Sequence, residues 1–212
     1  MKLLPDHPLG RFVLRVVLWL PFTFFMWYFM ATALTWPLTL LVEWITTTLF
    51  PQAVASVDQP GHVLNVVTRF AVRTPDGGIA LLNFDIDPLS YGYGMPLLTA
   101  LIIATPGEEA QKWRRWGLGM LLLLLTQTWG VCFDIFTHLA MTLGDAVSQH
   151  MGFSDLQLEG IALGYQFGYL MLPPLAPVVI WILMQRDFIV TLAQRPVEAE
   201  ALGNPEHTGR AQ

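Results

Sequence analysis

Charge is scarce in this 212-residue sequence: Asp, Glu, Lys and Arg together make up 13% of it. Soluble domains carry about 25% charged residues. A chain that is 54% hydrophobic, with a mean hydropathy of +0.50, lacks the polar side chains needed to cover a folded surface in water. The composition excludes a soluble globular protein and a disordered polar chain, and it indicates a membrane protein.

Cysteine and basic residues are scarce as well. Because Cys132 is the single cysteine, the chain cannot form an intrachain disulfide, and a disulfide scaffold is excluded. The 11 Lys and Arg residues are scattered and are outnumbered by 16 Asp and Glu, which gives a net charge of −5. This balance excludes a nucleic-acid binder. The sequence also gives no reason to expect a bound cofactor.

Long apolar segments are what the sequence has instead. A helix needs about 20 mostly apolar residues to cross a bilayer. Four segments meet or approach that length: Phe12 to Leu34, about 89–105, about 118–143 and about 161–184. The second segment is short, so we expect it to cross with little tilt. The predicted fold is a mainly α, polytopic membrane protein with four transmembrane helices and a small extracytoplasmic β-hairpin.

Basic residues predict the orientation of these spans, because Lys and Arg in short loops tend to stay on the cytoplasmic side. With four spans and both termini inside, only Arg69 and Arg73 of the basic residues lie outside. An alternative with a fifth span turns at Trp36-Pro37 and puts Glu43 in mid-bilayer, at a cost of about 2.5 to 3.5 kcal/mol. We prefer four spans. The predicted regions are 1–35 (cytoplasmic amino terminus and first span), 36–88 (extracytoplasmic), 89–185 (three further spans) and 186–212 (disordered cytoplasmic tail).

The amino-terminal apolar segment also has to be compared with a signal peptide. It ends in Ala31-Thr-Ala33, which matches a cleavage pattern. The segment is rich in aromatic residues, and apolar sequence resumes directly after Trp36. These features favour an uncleaved membrane anchor.

The extracytoplasmic region predicts a surface helix followed by a hairpin. Leu38 to Phe50 carries apolar residues at helical spacing, so we expect a helix along the membrane surface. From Val63 onward apolar and polar residues alternate in two runs, separated by the turn sequence Thr74 to Gly78.

The register of this hairpin can be predicted by pairing Arg73 with Ile79. One face is then apolar throughout, while the other face places Arg69 opposite Asn83 and diagonal to Asp85. The apolar face is formed by Leu64, Val66, Phe70, Leu82, Phe84 and Ile86. Either this chain covers that face, through helix 38–50 or residues 51–61, or a partner protein adds to the face or to the open edge.

Asp134 and His138 are ionisable residues inside the third apolar segment. They lie four residues apart and share a face of a helix, and Gln127 lies on the same stripe. Three interpretations remain open: a hydrogen-bonded pair that fixes helix packing, a proton or substrate site, and a position at the outer interface.

Small and basic residues predict helix contacts and anchoring. Gly160, Gly164 and Gly168 form a small-xxx-small stripe for close packing with another helix, in this chain or in a homo-oligomer. Arginines near the inner ends of the helices are expected to anchor the protein at the inner interface. These anchors are Arg11, Arg15, Arg114 and Arg115.

A catalytic or metal site is not indicated. On a helix His138 is rotated about 240° around the axis from Cys132, so the two side chains do not share a face and cannot form a thiolate–imidazole pair. The outer loop containing Asp145, His150, Asp155 and Glu159 matches no metal-binding spacing. We therefore expect no enzymatic activity.

Two stretches carry a resemblance to a known family. The first is Pro8-Leu-Gly-Arg-Phe-Val-Leu-Arg-Val-Val-Leu-Trp-Leu-Pro21 with Trp27-Tyr28, and the second is Asp87-Pro-Leu-Ser-Tyr-Gly-Tyr-Gly-Met-Pro-Leu-Leu-Thr-Ala100 with Ala104-Thr-Pro-Gly107. Together they resemble the exosortase H-associated membrane protein family of Gram-negative bacteria.

The resemblance implies a small inner-membrane protein that accompanies an exosortase, a membrane-embedded cysteine transpeptidase-like enzyme that processes carboxy-terminal sorting tails of exported proteins. We expect a non-catalytic accessory protein that stabilises this polytopic enzyme or presents substrate tails to it. The alternative is a small membrane enzyme or proton-linked transporter that uses Asp134 and His138.

Overall fold

The computed structural model describes residues 8–73, 78–143, 147 and 151–190. Over these residues the protein is mainly helical, with one small antiparallel sheet. Three helices are long and apolar enough to cross a membrane: Leu9–Phe29, Glu109–Thr142 and Asp155–Met184. The apolar segment Leu89–Ala104 is shorter. The mainly helical membrane fold is thus confirmed, with three helices of full spanning length.

The first apolar segment forms two helices rather than one span followed by a separate surface helix. Helix α1 is Pro8–Phe29 and helix α2 is Ala31–Leu49, so the break is at Met30 and not at Trp36-Pro37. Pro37 lies inside α2. The break occurs where the packing partner changes, because α1 packs against the helix formed by 94–104 while α2 packs against the sheet and the long helix that follows.

The remaining helices keep the predicted order but have different ends. In chain order they are α3 (Leu89–Gly92), α4 (Gly94–Ala104), α5 (Glu109–Thr137), α6 (Asp155–Gln166) and α7 (Leu172–Met184). The third predicted span therefore begins nine residues earlier than expected. A capping box of Ser154 and Gln157 starts α6.

Two π-helical turns interrupt the regular helices. His138–Thr142 extends α5, and Phe167–Met171 joins α6 to α7. The second turn directly precedes Pro173 and Pro174, whose nitrogens cannot donate to the carbonyls four residues earlier. The structure accommodates these prolines with a wider turn inside a continuous helix.

The sheet has three strands and not two. Strands β1 (Val54–Asp58), β2 (Leu64–Arg73) and β3 (Ile79–Ile86) pair antiparallel in the order β1-β2-β3. Strand β1 lies in the segment 51–61, for which the sequence predicts, as one alternative, a cover over the apolar face of the hairpin and not a strand. Its buried residues Val54 and Val57 are three apart because a bulge interrupts the strand, so β1 lacks the period of two that identifies β2 and β3.

The predicted hairpin register holds only near the turn, whose residues 74–77 lie outside the described part of the chain. Arg73 pairs with Ile79 as predicted, but beyond a bulge Val66 pairs with Phe84 instead of Ile86. Two extra residues of β2 are accommodated between Val67 and Ala71. Because the shift is two residues, each side chain keeps its predicted face.

Two apolar cores lie along the long axis of α5. The sheet core joins α2, the sheet and the carboxyl half of α5, with Leu38, Val66 and Ile135 fully buried. The bundle core joins α1, α4, α7 and the amino half of α5. In the bundle core the ring of Phe12 stacks on Trp181, with 5.3 Å between ring centroids.

The predicted disordered tail is only partly described. Residues 186–190 are helical, which differs from the prediction, and Phe188 packs against Phe12 in the bundle core. Residues 191–212 lie outside the described part of the chain.

Candidate functional site

The apolar face of the hairpin is the first candidate site, and this chain covers most of it. Leu64 and Val66 are fully buried and Ile86 is 2% exposed, because α2 and α5 pack on that side of the sheet. These three side chains are therefore not available to a partner, which corrects the partner-face hypothesis. The other three residues of the face, Phe70, Leu82 and Phe84, are half-buried.

The opposite face of the sheet carries a different polar pair from the predicted one. Because of the bulge, Val67 and not Arg69 lies opposite Asn83. The cross-strand polar pair is Asn65 and Asp85, with Asn65 Nδ2 donating to Asp85 Oδ1 at 2.6 Å. Arg69 is exposed at the bulge.

Asp134 and His138 are in contact, as their spacing predicts. His138 Nδ1 lies 3.3 Å from Asp134 Oδ1 and 3.0 Å from the Asp134 carbonyl oxygen. Since both neighbours are acceptors, Nδ1 must carry the proton. The imidazole stacks on the ring of Phe84 in β3, with 4.7 Å between centroids and 3° between planes. The pair therefore connects α5 to the sheet.

Tyrosines surround the other side of the Asp134 carboxylate. Tyr91 and Tyr165 both lie close enough to Asp134 to interact electrostatically with its carboxylate. The Tyr169 ring stacks on Tyr165 and meets Tyr91 edge to face. Tyr91 is 5% exposed, so its ring lies inside the protein beside Asp134.

The polar cluster of Tyr91, Asp134, His138 and Tyr165 does not include Gln127, although the predicted stripe did. Gln127 is buried and donates from Nε2 to the Pro88 carbonyl at 3.0 Å, just before α3 begins. Its Oε1 has no hydrogen-bond partner among the described residues. Gln127 thus orients the start of α3.

The glycine stripe is used mostly within the chain. A Cβ atom on Gly164 would lie 2.1 Å from the Phe133 ring, and one on Gly168 would lie 2.8 Å from Gly130 Cα. Of the three stripe glycines, Gly160 alone has no atom within 4 Å of its Cβ position in the described structure. The neighbour at Gly164 and Gly168 is therefore α5. Within this stripe, Gly160 remains available for contact with a second copy of the chain.

Gly130 is a packing residue that sequence analysis missed. A Cβ there would lie 2.3 Å from the Tyr91 ring, and the Gly130 backbone also meets Gly168. A small residue beside Trp129 in an apolar helix was the available signal. Because no glycine lies four residues before or after Gly130, the sequence shows no repeated glycine pattern at this position.

The predicted inner-interface anchors lie at the end of the molecule opposite the sheet. Arg11, Arg15 and Arg114 are exposed there. Arg115 instead donates to Gln185 after α7 and is half-buried, so it also ties two helices together.

Cys132 and the acidic outer loop are the residues that the sequence analysis weighed for catalytic and metal chemistry. Cys132 is 5% exposed in the sheet core, away from water. No group of three His, Cys, Asp or Glu residues that could hold a metal occurs in residues 8–73, 78–143, 147 and 151–190. Asp145 and His150 of the predicted acidic loop lie outside those ranges.

Comparison with known proteins gives one result. A family model described as exosortase H-associated membrane protein matches residues 6–188. No curated protein and no solved structure matches the chain.

Proposed function

Since this chain belongs to the exosortase H-associated membrane protein family, we propose that it is a non-catalytic accessory protein of an exosortase-type protein-sorting system. It stabilises the sorting enzyme or presents substrate tails to it. The observation that carries the proposal is the sheet core, which fixes a three-stranded sheet rigidly to the long helix α5. Such a platform suits protein docking better than catalysis.

The protein is proposed to be a multi-pass protein of the bacterial inner membrane with both termini in the cytoplasm. The short segment Leu89–Ala104 is the proposed fourth crossing, alongside the three longer helices. Exposed arginines lie at the bundle-core ends of α1 and α5, and exposed Arg186 closely follows α7, which agrees with the positive-inside rule.

The test is co-purification with the exosortase encoded by the same organism. The two proteins are produced together, extracted in a mild detergent and isolated through a tag on this chain. We expect the exosortase in the eluate and a longer cellular lifetime of the exosortase when this chain is present. An unrelated tagged polytopic protein serves as the control. Failure to isolate the exosortase, with its lifetime unchanged, rejects the proposal.

A second candidate is a small membrane enzyme or proton-linked transporter. The observation that favours it is the 3.3 Å contact between a carboxylate and an imidazole, next to the Tyr91 hydroxyl. Reconstitution separates the two functions. A transporter moves protons into vesicles without any partner, and this movement is lost in Asp134→Asn, whereas the accessory protein gives no proton flux above empty vesicles.

A further inference from the structure

Strand β3 forms an open edge of the sheet. In the strand order β1-β2-β3 only β2 has a neighbour on each side. In the described structure β3 packs chiefly against β2 along one edge and against α5 on one face. Ile79 is 78% exposed and Leu81 is 52% exposed. The second edge of β3 is thus accessible from outside.

The direction of the backbone groups on this edge follows from one hydrogen bond. Thr68 Oγ1 donates to the Leu82 carbonyl oxygen at 2.8 Å, so Leu82 directs its backbone polar groups toward β2. These groups alternate between the two edges along an extended strand. Leu81 and Asn83 therefore direct their N–H and C=O groups away from β2, as Ile79 and Asp85 do. Every second residue of β3 offers a donor and an acceptor to a further strand.

Strand β3 lacks most of the features that usually protect an edge. Protected edges are short, carry Pro or charged residues, especially Lys, or bulge away from a neighbour, and Asp85 is the single charged residue of β3. Strand β3 has eight residues without Lys, Arg or Pro, and the bulge of the hairpin is in β2.

The other edge strand provides an internal comparison. Strand β1 has five residues, is bulged, and lies between Pro51 and Pro60. Gln59 follows β1 and ties the chain to α2, since its Nε2 donates to the Thr32 carbonyl at 2.8 Å. The β1 edge is therefore short and bulged, whereas the longer β3 edge has neither of these features.

Charge distinguishes one end of the open edge. Asp85 and Asp87 are exposed, and no basic residue occurs from Gly78 to Tyr93. Asp87 directly precedes α3 and α4, so both carboxylates lie at the end nearest the membrane segments. Two copies in one membrane would place these carboxylates at the same depth, where they repel each other. A strand with a basic residue at its membrane end is complementary.

We propose that β3 accepts an extended extracytoplasmic segment of the exosortase as a fourth strand, with a Lys or Arg of that segment beside Asp85 and Asp87. This inference rests on the proposed function, and it specifies the partner surface as the open edge instead of the apolar face. The backbone groups of Leu81 and Asn83 supply the affinity, and the two aspartates set the direction of the added strand.

Hydrogen exchange tests the added strand directly. The purified complex of this chain and the exosortase is compared, in nanodiscs, with this chain alone. In the complex we expect the amide hydrogens of Leu81 and Asn83 to exchange at least about tenfold more slowly, because they become hydrogen-bonded. Those of Ala80 and Leu82, already directed toward β2, should change little. Unchanged exchange at Leu81 and Asn83 in an isolated complex overturns the proposal while the proposed function stands.

Proline substitution tests the same hydrogen bonds in a second way. Leu81→Pro removes an N–H that no bond inside the sheet uses, and edge strands tolerate proline at such positions. Leu81→Thr removes the same side chain but keeps the N–H. We expect Leu81→Thr to retain the exosortase and Leu81→Pro to lose it, with Asn83→Pro and Asn83→Thr as a second pair. If the proline and threonine variants bind equally, β3 accepts no strand. If no exosortase co-purifies with the wild-type chain, the result rejects the proposed function itself.

The same purified proteins test which segment binds the edge of β3 and whether the charges of Asp85 and Asp87 contribute to binding. Protection that appears only with an exported substrate assigns the edge to the sorting tail, and protection that rises with the concentration of this chain alone assigns it to a second copy. Either result overturns the proposal. Replacing both aspartates by Asn keeps the local hydrogen-bond acceptors and should weaken binding of the exosortase about two- to fivefold at low salt. Unchanged binding at low salt contradicts the proposal that a Lys or Arg of the exosortase lies beside Asp85 and Asp87.

Discussion

At the scale of single residues, the contact between α5 and the π-helical turn after α6 depends on two glycines. The Cβ position of Gly168 lies 2.8 Å from Gly130 Cα, and this neighbour is backbone that cannot rotate away. We expect Gly168→Ala to lower the free energy of unfolding by about 1–3 kcal/mol through overpacking. The measurement is reversible unfolding in mixed micelles, followed by tryptophan fluorescence.

Gly160→Ala is the matched control for this substitution. It lies on the same stripe, but the described structure has nothing within 4 Å of its Cβ position. Alanine is the better helix former, so this variant should be as stable as the wild type or slightly more stable. Equal destabilisation by both substitutions would show that the stripe packs differently, for instance in an oligomer through Gly160.

Asp134 allows a second residue-scale prediction, which separates packing from proton chemistry. Asparagine keeps an acceptor for Tyr91 and for His138, so we expect Asp134→Asn to retain folding and exosortase co-purification. Asp134→Leu removes the carboxylate beside Tyr91 and leaves His138 Nδ1 only the carbonyl oxygen of residue 134, so it should cost about 1–3 kcal/mol of unfolding free energy. The readouts are protein accumulation, unfolding and co-purification. Loss of exosortase co-purification in a well-folded Asp134→Asn variant would assign the carboxylate a role beyond packing.

The residues that the sequence predicts well are those whose partners are close in the chain. The contact of Asp134 with His138 follows from their spacing on one helix. The approach of Tyr91 and Phe84 to the same pair could not be predicted, because both come from elements more than forty residues earlier. Helix periodicity says which side of α5 is polar, but it does not say which element packs there.

At the scale of secondary structure, α2 shows how an amphipathic pattern identifies a face without identifying its partner. Leu38 and Val42, part of the predicted apolar face, are fully buried against the sheet core. The outward face is also apolar, with Trp36 62% and Trp44 68% exposed. Such indoles are typical of a membrane interface. The helix therefore has two apolar faces, one for the protein and one suited to lipid.

Alanine substitutions on the two faces of α2 should differ in their effect on stability. Leu38→Ala creates a cavity in the sheet core and should lower the free energy of unfolding by about 2–5 kcal/mol. Leu40 is 49% exposed on the outward side, so Leu40→Ala should cost much less. Limited proteolysis of the sheet region and unfolding in mixed micelles both measure the difference. Equal effects would contradict the orientation of α2 seen here.

The sheet was predictable to the extent that its residues alternate. The alternation in β2 and β3 gives the correct strands and the correct apolar face. Bulges carry no simple sequence pattern, so the register beyond Val67 and the whole of β1 were missed. Buried Thr68 closes the bulge in β2: its hydroxyl donates to the Leu82 carbonyl and accepts from the Phe70 amide.

At the scale of the whole molecule, the two cores define the depth of the polar cluster. At about 1.5 Å per residue, Asp134 lies about 29 Å along α5 from Arg115. That distance is close to the thickness of the hydrocarbon core, about 30 Å. The strand next to His138 cannot lie in hydrocarbon with its edge open. In the proposed orientation, these two arguments favour the outer interface for Asp134 and His138, the third of the interpretations that the sequence left open.

The same two cores make the orientation of the protein testable with cysteines at opposite ends. In the proposed orientation, a membrane-impermeant maleimide labels Ile79→Cys, 78% exposed on β3, while the inner membrane is intact. It labels Arg114→Cys, exposed at the bundle end, only after that membrane is permeabilised. The native Cys132 is 5% exposed and should remain unlabelled in the wild type, so it can stay in both variants. Labelling of Arg114→Cys but not Ile79→Cys in intact membranes would put the sheet in the cytoplasm. No extracytoplasmic segment of an exosortase could then reach the edge of β3.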